Sequence, residues 1–172
     1  IVPATARESF ERLLAKPQGI WEKTKNGQRV SAARRDFYCP VQLLAPLGRN
    51  EIAYGYDLYS EPLRRAAIEE AMHSGLPALS KPLSIVQDSY ETQNSFLVVA
   101  PVYKDKNGKE LKGFAVLVLK MSTLLKSLDL DSAVNIDLNM IHEDGSPDIL
   151  ATSWDSTVKN SSMLSSTHYI LV

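Results

Sequence analysis

The sequence predicts an α+β protein in which antiparallel sheets carry helices on one side. Two apolar stretches, residues 96–103 and 113–120, are separated by a short polar segment that contains Asn107-Gly108, a pair typical of β-hairpins. Helical patterns are few: one lies near the N-terminus, one at residues 61–73 and one after the second apolar stretch. Because hairpins join the strands, these observations favour two α+β lobes over a parallel doubly wound sheet.

The first third of the chain is predicted to contain one helix, a small hairpin and two strands. The helix spans residues 5–15, and the polar segment 20–35 forms a hairpin that turns at Asn26-Gly27. Strands follow at residues 38–44 and 52–56, the latter because aromatic and branched residues alternate there with small or polar ones. The basic side chains of this region are expected on a solvated rim: Arg29, Arg34 and Arg35.

The helix at residues 61–73 is the most informative element of the sequence. Ser60 is expected to cap its free N–H groups, and Pro62 is tolerated in the first turn. Gly75 suits the left-handed residue that ends a helix, and Pro77 prevents the helix from restarting.

Arg64 is the residue of this helix with the most unusual predicted position. At about 100° per residue it falls in the middle of an apolar arc formed by Leu63, Ala67, Ile68 and Ala71. A buried guanidinium needs an anionic or carbonyl partner. One interpretation is a structural ion pair with Asp57, or an arginine that reaches the rim; the other is an arginine that faces a cavity and binds a small molecule. Arg65 and Glu69 are predicted on the solvent side, where they can pair.

Beyond this helix the sequence predicts the rest of a sheet and then a smaller second lobe. The two apolar stretches are expected at the centre of the sheet with both faces covered, because they are nearly continuous in apolar residues. Pro101, inside the first stretch, indicates a bulge or an edge. The other predicted elements are a strand at 83–86, a helix at 122–128, and strands at 134–142, 149–153 and 168–172.

The composition and the missing motifs argue against several functional classes. A formal net charge of −1 favours neither nucleic acid nor an anionic membrane surface as a partner. The single cysteine, Cys39, excludes an internal disulfide framework and a multi-cysteine zinc site, and it is predicted to be a small core residue. The three histidines are scattered, and the sequence contains no phosphate-binding loop or nucleophile elbow. The missing motifs do not exclude an enzyme, but they leave nothing from which to build a catalytic mechanism, and no catalytic residue, metal ligand or cofactor is predicted.

Several motifs taken together resemble the CHASE domain. They are the Pro40-Val41 strand, Gly55-x-Asp57, the helix with Pro62 and Arg64-Arg65, Ser74-Gly75, Pro101-Val102-Tyr103 and Gly113-Phe114. The CHASE domain is the extracytoplasmic sensory module of many histidine kinases and diguanylate cyclases, including the cytokinin receptors. The resemblance is clear over roughly residues 1–125 and weaker beyond them.

This resemblance implies a particular organisation of the chain. Residues 1–16 would end an N-terminal helical region, residues 17–121 would form a membrane-distal PAS-like ligand-binding subdomain, and residues 122–172 would form part of a smaller membrane-proximal PAS-like subdomain. It also implies a periplasmic or extracellular location and a homodimer in the full receptor. No stretch of the sequence approaches the roughly 18 apolar residues of a membrane span, so the flanking membrane helices of such a receptor are expected outside this sequence.

The resemblance further implies a ligand pocket on the inner face of the PAS-like sheet. Its expected residues are Tyr56, Asp57, Arg64, Val86, Val99, Pro101, Phe114 and Val116. The cytokinin receptors carry an aspartate where this chain has Arg64, a threonine where it has Val99 and a leucine where it has Val86, so both main polar contacts differ. The expected ligand is a small molecule with an apolar body and a carboxylate, carbonyl or phosphate group.

Two functional hypotheses follow from the sequence. The first is an input domain that senses a small molecule and shifts the population of two arrangements of its helices. The second is a ligand-free dimerisation or protein-interaction module that transmits contacts from a partner. A specific ligand raises the melting temperature by mass action, so thermal melting against a metabolite library separates the two hypotheses.

Overall fold

A computed structural model describes residues 1–14, 19–46, 48–85, 95–105, 110–128, 136–142 and 144–153 of the chain. The chain divides into two compact units, Ile1–Met121 and Ser122–Val172, and each is described by itself. The structure is mixed helix and antiparallel strand, which confirms the α+β prediction. Several predicted features lie outside the described residues: the Asn107-Gly108 turn, Val86, the loop at 154–167 and the strand at 168–172.

Among the described residues, the first unit contains two of three α-helices and seven of nine β-strands. Its elements are β1 (Val2–Pro3), α1 (Arg7–Leu14), β2 (Trp21–Lys23), β3 (Arg29–Ser31), β4 (Phe37–Tyr38), α2 (Pro62–Ser74), β5 (Ala78–Leu79), β6 (Ser95–Tyr103) and β7 (Leu111–Lys120). Three 3-10 turns join them, at Ala4–Ala6, Arg49–Ala53 and Leu58–Ser60.

The predicted N-terminal hairpin is confirmed. Strands β2 and β3 pair antiparallel, with Trp21 opposite Ser31 and Lys23 opposite Arg29. The turn closes with a hydrogen bond from the Gly27 N–H to the Thr24 carbonyl, and Gly27 has a φ of 76°. Positive φ is the conformation that an Asn-Gly pair is suited to adopt.

The strand predicted at residues 52–56 is wrong. A 3-10 turn, Arg49–Ala53, occupies its first two residues, and the Tyr56 N–H donates to the nearby Ala53 carbonyl. Gly55 then adopts a φ of 74° and brings its Cα close to the chain at Gly19. Because the Tyr54 and Tyr56 N–H groups are satisfied by local turns, the alternation of side chains does not produce a continuous strand.

The main sheet of the first unit has the order β5-β6-β7, with all pairs antiparallel. Strand β6 is central, as predicted, but among the described residues β7 pairs only with β6, so the prediction that both strands are central is wrong for β7. Pro101 lies opposite Phe114, and the register shifts at Val102/Tyr103. The irregularity expected near this proline is therefore present just after it.

Helix α2 packs on one face of this sheet through the predicted apolar arc. The shared core contains Ala67, Ile68, Ala71, Leu97, Val99 and, from outside these elements, Cys39. The helix ends at Gly75 in the left-handed conformation, as predicted. Its N-cap is Glu61, not Ser60, because the Glu61 carboxylate accepts the N–H groups of Leu63 and Arg64.

The second unit is described only in part. Helix α3 (Met121–Ser127) begins at the boundary of the two units, and Leu125 is its buried residue. Strands β8 (Asp137–Ile141) and β9 (Pro147–Thr152) form an antiparallel hairpin, and Gly145 in its turn has a φ of 82°. These elements agree with the helix and two strands predicted for this region.

Candidate functional site

The candidate site is centred on Arg64 in the first turn of α2. Its side chain is only 6% exposed, as the position in the apolar arc predicts. One guanidinium nitrogen, Nη1, donates to Glu61 Oε2 at 3.0 Å, and the other, Nη2, donates to the Ser84 carbonyl at 2.7 Å. The guanidinium carbon lies 5.5 Å from the centre of the Tyr56 ring, within cation–π range. The buried Arg64 guanidinium is therefore surrounded by a carboxylate, a backbone carbonyl and the face of an aromatic ring.

The partner predicted for Arg64, Asp57, is instead bound to Arg35. The Arg35 Nη1 donates to Asp57 Oδ2 at 2.6 Å, and its Nη2 donates to Glu22 Oε2 at 2.5 Å. The other Asp57 oxygen accepts the N–H groups of Cys39, at 2.8 Å, and Tyr59, at 3.2 Å. The interpretation of Arg35 as a solvated rim residue is therefore wrong, although Arg34 and Arg29 are exposed.

Asp57 is fully buried, and desolvation raises the pKa of its carboxyl group. The backbone N–H of Cys39 and the charge of Arg35 act in the opposite direction, but burial has the larger effect. Tyr56, its neighbour, is also buried and lies 4.9 Å from Trp21, ring centre to ring centre. Burial likewise raises the pKa of Tyr56. Tyr56 and Asp57 are both buried residues next to the site, and neither presents an exposed polar group.

The sheet residues predicted for the pocket lie on the face that α2 covers. Val99 is directly opposite Val116, and Pro101 is directly opposite Phe114, so all four side chains share one face. Val99 is 1% exposed, while Phe114 and Val116 are partly buried against the same core. Val86, also predicted for the pocket, lies outside the described residues.

Three further residues belong to this region that the sequence reasoning missed. Phe37, Tyr59 and Leu63 are partly buried and pack on the same core cluster as Val116. The rings of Phe37 and Tyr59 are 4.5 Å apart, although the two residues come from separate elements. Leu63 was predicted on the apolar arc of α2 but not as a residue of the pocket. No local pattern predicts that Phe37 reaches this core, since its ring contact, Tyr59, is 22 positions away in the sequence.

Arg65 is not the solvent-facing partner of Glu69 that its helical position suggested. Its Nε donates to the Tyr59 carbonyl at 2.9 Å, and its guanidinium carbon lies 5.0 Å from the centre of the Tyr59 ring. Glu69, which is exposed as predicted, accepts the Tyr59 hydroxyl instead. This hydrogen bond raises the pKa of Tyr59. Tyr59 therefore separates the two charges that were expected to pair.

The polar groups of this site are hydrogen-bond donors of one guanidinium. Arg64 carries N–H donors in a fixed planar fork, and the structure pairs them with the Glu61 carboxylate and the Ser84 carbonyl. In the part of the chain that the structure describes, no group of three or more His, Cys, Asp or Glu residues is placed to hold a metal ion. Nor, within those residues, is any helix long and apolar enough to cross a membrane.

These features describe an α+β module whose most developed polar site is a buried arginine next to an antiparallel sheet. The family model of the CHASE domain matches residues 1–151. The chain therefore belongs to the CHASE family, whose members are extracellular sensory domains of receptors. A search of curated proteins finds no match.

Proposed function

We propose that this chain is the ligand-sensing input domain of a transmembrane receptor, in an extracytoplasmic location, and that it binds a small molecule at Arg64. The observation that carries the proposal is the buried guanidinium of Arg64, held against Tyr56 at the edge of the apolar core under α2. In this proposal residues 1–16 end an N-terminal helical region, residues 17–121 form a PAS-like, membrane-distal subdomain, and residues 122–172 are part of a membrane-proximal one. The receptor acts as a homodimer whose output domain is a histidine kinase or a diguanylate cyclase.

The chemistry around Arg64 indicates the class of ligand. A planar guanidinium recognises oxygen atoms, so the polar end of the ligand is a carbonyl, carboxylate or phosphate group. The side chains of Leu63, Phe114 and Val116, which pack on the apolar core that α2 covers, are themselves apolar and partly exposed, which suits an apolar body. An adenine ring with a donor N–H is a poor match, because Arg64 itself only donates hydrogen bonds.

The proposed mechanism is a shift between two arrangements of α2 on the sheet. A ligand bound at Arg64 stabilises the arrangement in which it makes more contacts, and the equilibrium moves by the difference in its affinity for the two arrangements. The packed interface between α2 and the sheet changes between discrete states and does not deform continuously. In this proposal the output domain responds to that change of state.

Thermal melting of the purified chain against a library of metabolites tests the proposal. A specific ligand with a carbonyl or acidic group is expected to raise the melting temperature in proportion to the logarithm of its concentration. Native mass spectrometry of the purified protein provides a second readout, since a ligand carried through purification adds a defined mass. If no compound shifts the melting temperature and no added mass is found, a small-molecule sensor at Arg64 is ruled against.

A second candidate function, a ligand-free dimerisation or protein-interaction module, is favoured by the other face of the sheet. Leu79 lies opposite Val98, and Val98 lies opposite Leu117, so the three side chains form one row across β5, β6 and β7. Leu79 is 49% exposed and Leu117 is 59% exposed. Concentration-dependent light scattering separates the candidates: an interaction module self-associates without ligand and is weakened by Leu117→Lys, whereas a small-molecule sensor retains its ligand response in that variant.

A further inference from the structure

Helix α1 is attached to the first unit through polar contacts of two residues, Arg7, which makes several, and Glu11, which accepts the Ile20 N–H at 3.0 Å. No residue of this helix is buried, and only Phe10 packs partly on the core beneath it. The Arg7 guanidinium donates to the Ala32 carbonyl at 2.8 Å and to Ser31 Oγ at 2.9 Å. It also donates to Glu11 at 2.8 Å within the same helix. Arg7 therefore connects α1 to the end of the hairpin by side-chain hydrogen bonds.

The Tyr38 hydroxyl is shared between Arg7 and Arg35. It accepts a hydrogen bond from Arg7 Nη1 at 3.1 Å and another from the Arg35 backbone N–H at 3.3 Å. The Tyr38 ring is buried, so its oxygen has little freedom to move. The Tyr38 hydroxyl oxygen thus contacts both Arg7, which binds α1 to the hairpin, and Arg35, whose guanidinium binds Asp57.

Asp57 in turn fixes the start of α2. Its carboxylate accepts the Tyr59 N–H, and its carbonyl accepts both the N–H, at 3.0 Å, and the hydroxyl, at 2.6 Å, of Ser60. The turn built in this way, Leu58–Ser60, leads directly to Glu61, which caps α2 and holds Arg64. Asp57 is therefore joined to the Arg64 guanidinium by a continuous series of contacts through this turn and Glu61.

We infer that the chain of contacts Arg7–Tyr38–Arg35–Asp57, here called the relay, couples the attachment of α1 to the position of the turn before α2. The relay rests on the proposed function only for its biological role: if ligand binds at Arg64, the relay carries that event to α1. The coupling itself is a property of the unliganded protein. A continuous series of contacts does not by itself establish coupling. The test of the relay is therefore whether a change at α1 alters the turn before α2, and the reverse.

Tyr38→Phe is the sharpest single test of the relay. It removes one oxygen and keeps the buried ring, but it leaves both Arg7 Nη1 and the Arg35 N–H without that acceptor. Hydrogen exchange followed by mass spectrometry is expected to show faster exchange, by about threefold or more, in residues 7–14 and also in residues 57–64. Ile68→Val is the matched control, because it removes one methylene from the core under α2 and leaves every relay contact in place.

The exchange result distinguishes the relay from a local structural role. Faster exchange in both segments of Tyr38→Phe, but not in α1 of Ile68→Val, supports the relay. Faster exchange confined to residues 7–14 or to residues 57–64, no change in either segment, or an equal rise in all segments of both variants overturns it.

A double-mutant cycle supplies an independent measurement between the two ends. Arg7→Gln and Asp57→Asn are combined, and unfolding constants are measured by urea titration of the four proteins; Arg35→Gln replaces Asp57→Asn if the latter does not fold. The relay predicts that the effect on the unfolding constant of the double mutant differs from the product of the single effects by about twofold or more. Independent effects overturn it. Neither experiment uses a ligand, so both can fail while the proposed function stands, and the reverse also holds.

Discussion

Arg35 and Asp57 lie 22 residues apart in the sequence and are joined in the structure by a 2.6 Å contact between Nη1 and Oδ2. Asp57 is fully buried, and Arg35 also binds Glu22 on β2, so one guanidinium connects the N-terminal hairpin to the turn before α2. This contact, and not one with Arg64, is what neutralises the carboxylate in the interior.

Removal of Arg35 is therefore expected to destabilise the protein strongly. Arg35→Ala leaves the buried Asp57 with backbone hydrogen bonds but no counter-ion, and the expected loss is about 3 kcal/mol of unfolding free energy. Arg34→Ala, at the exposed adjacent position, is the control and is expected to change stability by less than about 0.5 kcal/mol. Urea titration measures both, and equal effects of the two variants would contradict the buried ion pair.

Gly55→Ala is expected to be much more harmful than Gly27→Ala. Both glycines have nearly the same positive φ, 74° and 76°, so the conformational cost of adding a Cβ is similar. At Gly55 the new Cβ lies 2.7 Å from the Gly19 carbonyl oxygen, whereas at Gly27 nothing lies within 4 Å. We expect Gly27→Ala to cost about 1 kcal/mol and Gly55→Ala to cost clearly more. Melting temperatures provide the comparison, and the idea fails if the two variants melt alike.

Arg64 and Arg65 are expected to differ in their effect on ligand binding. Loss of a buried, charge-assisted hydrogen bond costs about 1.5–3 kcal/mol, so Arg64→Ala should weaken binding of a carbonyl or acidic ligand by roughly tenfold to a hundredfold. Arg65→Ala should change the affinity little, because that guanidinium lies over Tyr59 and binds its carbonyl. Calorimetric titration with the compound found by thermal melting decides the matter. Equal affinity of the wild type and Arg64→Ala would reduce Arg64 to a structural ion-pair residue.

The stability of the first unit is expected to depend on pH through Glu11. Desolvation acts to raise the pKa of this carboxyl group, but hydrogen bonds from the Ile20 N–H and from Arg7 outweigh it, so the pKa is lowered in the folded protein. A lowered pKa means that the carboxylate stabilises the fold above its ordinary pKa of 4.5 and that this contribution is lost as pH falls through the folded pKa.

The measurement compares unfolding free energies of the wild type and Glu11→Gln across acid pH. The difference between them should be largest near neutral pH and should shrink below pH 4.5, the ordinary pKa of this group. Glu8→Gln, at an exposed position of the same helix, is the control and should parallel the wild type. If the difference in unfolding free energy between the wild type and Glu11→Gln grows as the pH falls, folding does not lower the pKa of Glu11.

Cys39 is expected to be unreactive in the folded protein. The side chain is buried, and desolvation raises the pKa of the thiol to about 12. Because the thiolate is the reactive form, a thiol reagent at pH 8 should modify Cys39 only at the rate at which the protein opens. Absorbance measured with and without urea checks this, and rapid modification of the native protein would place the thiol at the surface.

The sequence predicted features that depend on local pattern. The burial of Arg64, the apolar arc under α2 and the helix end at Gly75 all follow from helical periodicity and from backbone conformations of glycine. The partners of the charged side chains could not be predicted from these local patterns. Arg64 is held by Glu61, three residues before it, while Asp57 is held by Arg35 from a different element, and no periodicity distinguishes these pairings from the expected ones.

The erroneous strand at residues 52–56 has a different cause. Alternation of side chains describes which groups could share a face, but strand formation also requires a neighbouring strand for the backbone groups. Here the Tyr54 and Tyr56 N–H groups donate to the carbonyls of Glu51 and Ala53, and the Gly55 N–H donates to Val41. Only the isolated bridges of Tyr56 with Trp21 and of Asp57 with Pro40 retain an extended character.

The double use of Glu61 has a consequence for ligand selectivity. One carboxylate both caps α2, through the N–H groups of Leu63 and Arg64, and neutralises the Arg64 side chain. An acidic ligand that evicts Glu61 from the guanidinium competes with a group tethered three residues away, and it places a second negative charge beside the first. A ketone, amide or ester oxygen does not compete with Glu61, because it can accept from another N–H of the Arg64 guanidinium while the Glu61–Arg64 pair stays intact. Uncharged compounds should therefore outcompete acids of the same shape.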